Sequence, residues 1–217
     1  MIVSNHPQGT PEWKAERAGI ATASEFAAVM STIKSGESAE RRNYRARLVV
    51  ERLTGKAIQT FTSAAMRQGT EREPDARMAY MIRTGFVVDQ VGFCRHDTLE
   101  CGVSPDGLIG KKRGLEIKCP ELATHLAYLK LKAEPPEYTW QIQGQMWVCE
   151  LESIDFVSFN PDFPEHLQLI VRNIPRDEKK IAALASGVEK FMQEVRGETE
   201  SVRRMSFAAN DTTPLAA

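Results

Sequence analysis

The segment of residues 114–120, Gly-Leu-Glu-Ile-Lys-Cys-Pro, constrains the fold of this chain more than any other stretch. Apolar and charged residues alternate in it and a proline closes it, which is typical of a half-buried β-strand. Such a strand puts Leu115 and Ile117 on one face and Glu116 and Lys118 on the other. The apolar face can pack into a core, while a carboxylate and an ammonium group share the opposite face.

A second short strand is predicted just before this one. Residues 104–107 read Ser-Pro-Asp-Gly, and the proline and glycine around Asp106 are typical of a strand that bends. Residues 109–114, Ile-Gly-Lys-Lys-Arg-Gly, indicate a basic hairpin turn between the two strands. If the strands pair, Asp106 converges with Glu116 and Lys118. This arrangement is typical of a metal-dependent phosphodiesterase.

The length and charge of the chain narrow its class. Its 217 residues suffice for one domain with a sizeable core, which we expect over residues 1–197. Residues 198–217 become polar and then small and unpatterned, which indicates a flexible C-terminal tail. The formal net charge is −1, so binding to nucleic acid would have to use local basic patches.

The sequence has no pattern typical of membrane insertion or secretion. No apolar run approaches the length of a membrane span, and the first residues lack the basic start and apolar stretch of a signal peptide. The four cysteines show neither a CxxC pair nor a paired-histidine spacing. We therefore expect a cytoplasmic protein with reduced thiols.

Helical patterns occur before, between and after a central group of strands. The predicted helices cover residues 11–17, 19–30, 40–53, 61–83, 121–131, 138–149 and 176–196. The predicted strands cover residues 86–90, 91–95, 101–109, 114–119, 154–159 and 167–174. This order predicts an α/β (α+β) fold in which a central mixed β-sheet is flanked by helices.

The first three helices carry polar residues with two interpretations each. Thr22 or Ser24 is expected to cap the second helix, whose exposed amides, with Arg17 nearby, would suit a phosphate. An ordinary capped helix is the alternative. The arginines of the third helix predict either a charged solvent face or a nucleic-acid surface. They are Arg41, Arg42, Arg45, Arg47 and Arg52.

Glu73 lies in the fourth predicted helix on a face with small and apolar residues. The next residue, Pro74, cannot donate a backbone hydrogen bond, so we expect a kink or a new helix start near Glu73. A carboxylate in such surroundings is unusual for a solvated acid. A surface glutamate near a helix start is the alternative interpretation, because acids favour that position.

Phosphodiester hydrolysis needs an activated water, charge relief on the phosphate and help for the leaving oxygen. A pair of divalent cations supplies all three, and Mg²⁺ prefers oxygen ligands. Asp106 and Glu116 are suitable ligands, with the backbone carbonyl of Ile117 between them. A surface hairpin with an ordinary Glu-Lys pair is the alternative.

Further polar residues suit the same chemistry. Lys118 would orient or help to deprotonate the attacking water, because a neighbouring metal favours its neutral form. Glu73 would add a carboxylate, and Gln141 would hold a water or a phosphate oxygen. Gln141 and Gln145 are four residues apart on one helical face, whereas Gln143 points elsewhere.

Pro105, Asp106, Glu116 and Lys118 match the signature of the PD-(D/E)XK nuclease superfamily. More closely, the chain resembles the phage lambda exonuclease family of YqaJ-type viral recombinases. The resemblance spans roughly residues 13–195 in the same order. Its motifs lie at residues 20–25, 69–77, 104–108, 114–120, 141–148 and 176–179.

The resemblance implies a restriction-endonuclease-like core and a defined activity. Members of the family degrade one strand of double-stranded DNA from a 5′ end, using Mg²⁺. They release 5′-mononucleotides and leave a 3′ overhang. The resemblance implies a site with two Mg²⁺ ions, with Mn²⁺ as a substitute. The resemblance also implies a ring-shaped homotrimer, a single-strand annealing protein as partner, and a prophage-encoded protein in the cytoplasm of a bacterial host.

The resemblance further implies roles for individual residues. The implied metal ligands are Glu73, Asp106, Glu116 and the carbonyl of Ile117. The implied partners of the attacking water are Lys118 and Gln141. The implied 5′-phosphate and DNA contacts are Arg17, Ser24, Ser104 and Lys34, the last in a basic loop. Two departures are Pro74, directly after a ligand, and Gln145, where related nucleases commonly have a tyrosine.

Three other interpretations of the same sequence remain open. One is a different nuclease on the same core, such as a restriction-type endonuclease. Another is an iron–sulfur RecB-like nuclease, which the cysteines disfavour because they lack the spacing of a cluster site. The third is a DNA-end-binding protein that keeps the fold without catalysis.

Overall fold

The strands divide between two four-stranded mixed sheets in the computed structural model, which describes residues 1–58 and 63–205. The first sheet has the order β1 (Ile2–Val3), β3 (Cys94–Arg95), β4 (Cys101–Val103) and β2 (Ala21–Thr22). The second has the order β5 (Gly107–Ile109), β6 (Arg113–Lys118), β7 (Ser153–Phe159) and β8 (Leu169–Pro175). The β2–β4 and β6–β7 pairs are parallel, and the other named pairs are antiparallel.

Helices flank both sheets. They are α1 (Pro11–Arg17), α2 (Phe26–Met30), α3 (Ala39–Thr54), α4 (Ala64–Thr84), α5 (Leu122–Leu129), α6 (Thr139–Val148) and α7 (Glu178–Arg203). Short 3₁₀ turns lie at Ala23–Glu25, Pro136–Tyr138 and Glu165–Leu167. The predicted α+β class with mixed pairing and flanking helices is confirmed, and the strands form two sheets rather than one.

The strand predicted over residues 101–109 is split at Pro105. Its first half, β4, belongs to the first sheet, and its second half, β5, belongs to the second sheet. Proline has no backbone N–H and cannot continue a ladder, so the chain changes sheets there. Ser104 therefore follows the first sheet, and Asp106 leads into the second. Of the predicted strand at residues 86–90, only a bridge from Asp89 to Leu108 forms.

Three predicted helix boundaries are corrected. α2 begins through a 3₁₀ turn without a side-chain hydrogen bond from Thr22 or Ser24 at its start, so the predicted cap is wrong. α4 continues through Pro74, so no new helix starts there. α7 continues past Gly197 to Arg203, because Val195 and Thr199 are both buried and packing offsets the low helix propensity of glycine. Residues 59–62 and 206–217 lie outside the described residues.

The two faces of β6 are as predicted. Leu115 and Ile117 pack against Ala76 and Tyr80 of α4, in a small apolar cluster. Glu116 lies on the opposite face, which α6 covers. The alternating pattern therefore directs one face into the core and leaves the charged face to a helix with polar residues.

The arginines of α3 are largely matched by carboxylates within the protein. Arg41 binds Glu194 of α7 at 2.7 Å, and Arg52 binds Glu100 at 2.9 Å. Arg45 and Arg47 also form ion pairs, with Glu198 and Glu25. This helix therefore carries little unmatched positive charge for a nucleic acid. Separately, no helix within residues 1–58 and 63–205 is long and apolar enough to cross a membrane.

Tyr80 is expected to anchor α4 to the second sheet through a buried hydrogen bond. Its hydroxyl donates to Asp155 Oδ2 at 2.5 Å, and Asn173 donates to Asp155 Oδ1 at 2.7 Å. We predict that Tyr80→Phe lowers the free energy of unfolding by about 1.5–3 kcal/mol, the usual worth of a hydrogen bond to a charged group. Urea denaturation checks the value. Tyr128→Phe is the control, since Tyr128 donates to the exposed Glu137; equal losses in both variants would contradict the prediction.

Candidate active site

Glu116 is the centre of a buried polar cluster between β6 and α6. Its residue exposure is 1%, and both carboxylate oxygens are engaged. Oε1 accepts from Lys118 Nζ and from Gln141 Nε2, each at 2.6 Å. Oε2 accepts from Gln145 Nε2 at 2.6 Å. A buried carboxylate needs such donors, because burying a charge without them is costly.

Asp106 joins this cluster from the start of β5. Its Oδ2 accepts the backbone N–H of Ile117 at 2.6 Å. Desolvation raises the pKa of Asp106 well above its usual value, and the charges of Glu116 and Glu73 raise it further. The N–H and C=O of one strand residue point to the same side, so the Ile117 carbonyl points toward the side of Asp106. The predicted convergence of Asp106, Glu116 and Lys118 is therefore observed.

Lys118 is held in its charged form. Burial opposes the charge, but the carboxylates of Glu116 and Asp106 outweigh it, so the pKa of Lys118 is raised above its usual value. The ammonium group also lies 4.6 Å from the centre of the Tyr138 ring, a cation–π contact. The neutral form that the sequence predicted therefore requires a bound cation to offset these carboxylates.

One face of α6 and the turn before it supplies three of these contacts. Gln141 and Gln145 follow Tyr138 by three and seven residues, so the three side chains share one side of the helix. Each of them contacts Glu116 or Lys118. Gln143 instead bonds the carbonyl of Pro175 and the amide of Asp177, as its predicted direction requires. The contact of Gln145 with Glu116 was missed from the sequence, although its i, i+4 spacing to Gln141 was a usable signal.

Glu73 lies beside the cluster on α4. Its carboxylate pairs with Arg77 one turn later, and its charge contributes to the raised pKa values of Asp106 and Cys119. Within residues 1–58 and 63–205, no three Asp, Glu, His or Cys side chains form a metal-binding group. The oxygens closest to such a role are those of Asp106, Glu116 and the Ile117 carbonyl. A hard cation prefers this all-oxygen donor set.

Arg17 and Ser104 form a second polar group. The Arg17 guanidinium lies 3.9 Å from the centre of the Trp13 ring and donates to Ser104 Oγ at 3.1 Å. Burial lowers the pKa of Arg17 to about 10. Among the described residues, no carboxylate forms an ion pair with Arg17. The carboxylates of Glu25 and Glu51 line the same cavity and act on Arg17 only at a distance, so this partly buried guanidinium keeps donors for an anion.

The hydroxyl of Ser104 is prepared to donate. Its oxygen accepts from both Arg17 and the Trp13 indole N–H, the latter at 3.1 Å. A hydroxyl oxygen has two lone pairs, so with both engaged its hydrogen is available to another acceptor. Ser24 and Arg17 line one cavity of about 600 Å³. Arg17 therefore lies next to both of the serines that the resemblance implies, bonding Ser104 and lining a cavity with Ser24.

Lys34 is separate from both groups. It lies exposed in the loop between α2 and α3, and within residues 1–58 and 63–205 its side chain makes no hydrogen bond or ion pair. The structure therefore brings the other predicted residues into two neighbouring clusters. These clusters are joined through residues 104–106.

Comparisons with known proteins agree with this geometry. The sequence model of the YqaJ-like viral recombinase domain matches residues 12–152. An alkaline exonuclease from Laribacter hongkongensis, also solved in complex with dAMP, is 41% identical, with a TM-score of 0.84. The match covers 90% of this chain and 97% of that one.

A phage-related exonuclease from Haemophilus somnus has a similar fold, with 18% identity and a TM-score of 0.63. That match covers 82% of this chain and 96% of the other. No curated protein sequence matches the chain. The family match extends over most of the chain and includes both clusters. This protein therefore belongs to the YqaJ-like viral recombinase family and shares the fold of an alkaline exonuclease.

Proposed function

We propose that this protein is a Mg²⁺-dependent exonuclease that degrades linear double-stranded DNA in the 5′→3′ direction. It releases 5′-mononucleotides and leaves a 3′ single-stranded overhang for recombination by strand annealing. The observation that carries this proposal is the partly buried guanidinium of Arg17, which has no ion pair among the described residues and bonds Ser104, two residues before Asp106. An anion site at that position would hold a terminal phosphate next to the metal ligands.

Asp106, Glu116 and the Ile117 carbonyl are the proposed Mg²⁺ ligands. Asp106 Oδ1 accepts no hydrogen bond from the described residues, which leaves it available for a cation. Glu73 pairs with Arg77 through Oε1, and its charge acts on Asp106, so it is proposed as an outer ligand through its other oxygen. Divalent cations, two per site, supply charge relief on the scissile phosphate and activation of water, and Mn²⁺ would substitute for Mg²⁺.

The chain's own residues orient and select the substrate. Lys118 is next to Glu116 and is proposed to hold the attacking water and to take part in its deprotonation. Gln141 is proposed to hold the same water through its amide. Arg17, Ser24 and Ser104 are proposed to bind the terminal 5′-phosphate through charge and hydroxyl donors. Lys34 is proposed to contact the DNA backbone from its exposed loop.

The comparison with the Laribacter enzyme supports the product. That alkaline exonuclease was crystallised with dAMP, a 5′-mononucleotide, and is 41% identical to this chain. We propose the same class of product here. We also propose a homotrimer, a single-strand annealing protein as partner, and an origin in a prophage whose product acts in the bacterial cytoplasm.

Digestion of end-labelled linear duplex DNA tests the proposal. With Mg²⁺, we expect 5′-mononucleotides as the product and faster digestion of 5′-phosphate than of 5′-hydroxyl ends. With EDTA, we expect no digestion. Covalently closed circular DNA should stay intact.

Each other result points to a different function. Cutting of closed circles would indicate an endonuclease. Duplex-end binding with no turnover under any divalent cation would indicate a non-catalytic end-binding protein. Release of products from 3′ ends would contradict the proposed direction.

A further inference from the structure

Gln145 is a fully buried glutamine whose side-chain amide makes one hydrogen bond among the described residues. Its Nε2 donates to Glu116 Oε2 at 2.6 Å. Its Oε1 is buried and has no hydrogen-bond partner among the described residues. Buried polar groups are nearly always bonded, so a group left unsatisfied needs an explanation. A purely structural position would favour an apolar side chain of the same size.

The orientation of this amide is fixed by chemistry. Turning it over would put the Gln145 carbonyl oxygen against the carboxylate oxygen of Glu116. Both atoms are acceptors, and an ionised carboxylate has no proton to share. The orientation with Nε2 toward Glu116 is therefore required, and the cost of the unbonded Oε1 comes with it.

Two of the three glutamines of α6 each bond one oxygen of the Glu116 carboxylate. Gln141 donates to Oε1 of Glu116, and Gln145 donates to Oε2. Because both come from one helix, one turn apart, they fix the plane of the carboxylate relative to β6. The Oε2 atom has one donor among the described residues, so one of its two lone pairs is left for a ligand.

We propose that Gln145 is a positioning residue that holds Glu116 in the orientation needed for cation binding. The inference rests on the proposed function, since Glu116 is a metal ligand only there. Hydrogen bonds to a ligating carboxylate orient it, and their loss usually weakens metal binding or activity by 10- to 100-fold. Gln141 is partly exposed and is also proposed to hold the attacking water, whereas Gln145 is fully buried beside Glu116.

Gln143 provides a matched control on the same helix. It is also a buried glutamine, but its amide bonds the Pro175 carbonyl and the Asp177 amide, away from Glu116. Gln143→Met loses two hydrogen bonds to backbone groups. Gln145→Met loses one bond and also removes the unbonded carbonyl. Only Gln145→Met removes a donor to Glu116, so a change in Mg²⁺ binding should appear in that variant and not in Gln143→Met.

The experiment measures Mg²⁺ binding by isothermal titration calorimetry without DNA, together with the Tm of the metal-free protein. For Gln145→Met we expect the Kd for Mg²⁺ to rise about 10- to 100-fold. For Gln143→Met we expect a lower Tm and an unchanged Kd. Gln145→Leu replaces Gln145→Met if the methionine variant does not fold.

The outcomes separate this inference from the proposed function. If the wild-type protein binds Mg²⁺ and digests DNA but Gln145→Met keeps the wild-type Kd, the positioning role is wrong. The same holds if Gln143→Met weakens Mg²⁺ binding as much as Gln145→Met. If the wild-type protein neither binds Mg²⁺ nor digests DNA, the proposed function itself fails.

Discussion

Lys118→Met is expected to slow Mg²⁺-dependent digestion of linear duplex DNA by about 10²- to 10⁴-fold, the usual worth of a positioned proton-transfer group. Methionine keeps the unbranched apolar part of the side chain as far as Cε, but it lacks the ammonium group that contacts the Tyr138 ring and that would hold or deprotonate a water. Glu116 keeps Gln141 and Gln145 as donors, so we expect the protein to stay folded. Single-turnover release of labelled mononucleotide measures the effect.

The matched control is Lys112→Met, at the turn before β6. Lys112 is exposed and lies 3.5 Å from Glu152, at the end of the strand remote from Lys118. Its replacement also removes one positive charge, so a slower rate of digestion that was caused only by the change in net charge would appear in both variants. Digestion by Lys118→Met at the wild-type rate, in protein with an unchanged Tm, would remove Lys118 from the proposed mechanism.

Arg17→Met is expected to reduce the preference for 5′-phosphate over 5′-hydroxyl ends by about 10- to 100-fold. This range corresponds to the loss of a hydrogen bond to a charged group, about 1.5–3 kcal/mol. Arg17 has no ion pair among the described residues, and Arg47 stays beside the nearby carboxylates of Glu25 and Glu51 when Arg17 is replaced. The measurement is the ratio of kcat/KM for two duplexes that differ only at the 5′ end.

Arg41→Met controls for the loss of one positive charge. Arg41 is paired with Glu194 and Glu37 on the surface between α3 and α7. We expect this variant to keep the wild-type ratio between the two kinds of end. A ratio that Arg17→Met leaves unchanged would mean that the terminal phosphate binds elsewhere.

The convergence of Asp106, Glu116 and Lys118 was predictable from the sequence because its causes are local. Alternation with a period of two sets the faces of β6, and the glycine-rich turn sets its pairing with β5. The opposite directions of Gln143 and Gln145 follow from helical geometry in the same way. The helix and strand order, and with it the α+β class, also depends on such local periodicity.

The remaining features depend on contacts between distant segments. Pro74 lies inside α4 because Ala76 and Tyr80 pack that helix onto the second sheet, and this packing offsets one missing hydrogen bond. The position of Arg17 beside Ser104, without an ion pair among the described residues, depends on which segments the fold brings together. No spacing rule within one element gives that information. The division of the strands into two sheets is a tertiary property of the same kind.

The short connection between β4 and β5 limits the distance between the two clusters. Ser104 and Asp106 are separated only by Pro105, whose ring restricts its φ angle. Two residues of chain span at most about 7 Å, so covalent geometry limits the distance between the proposed phosphate-binding residue Ser104 and the proposed metal ligand Asp106. Substitutions that weaken the packing of the core would lower the fraction of folded protein. In the molecules that stay folded, the length of chain between Ser104 and Asp106 would not change. The length of the released product should therefore be insensitive to stability, whereas an insertion beside Pro105 should change it.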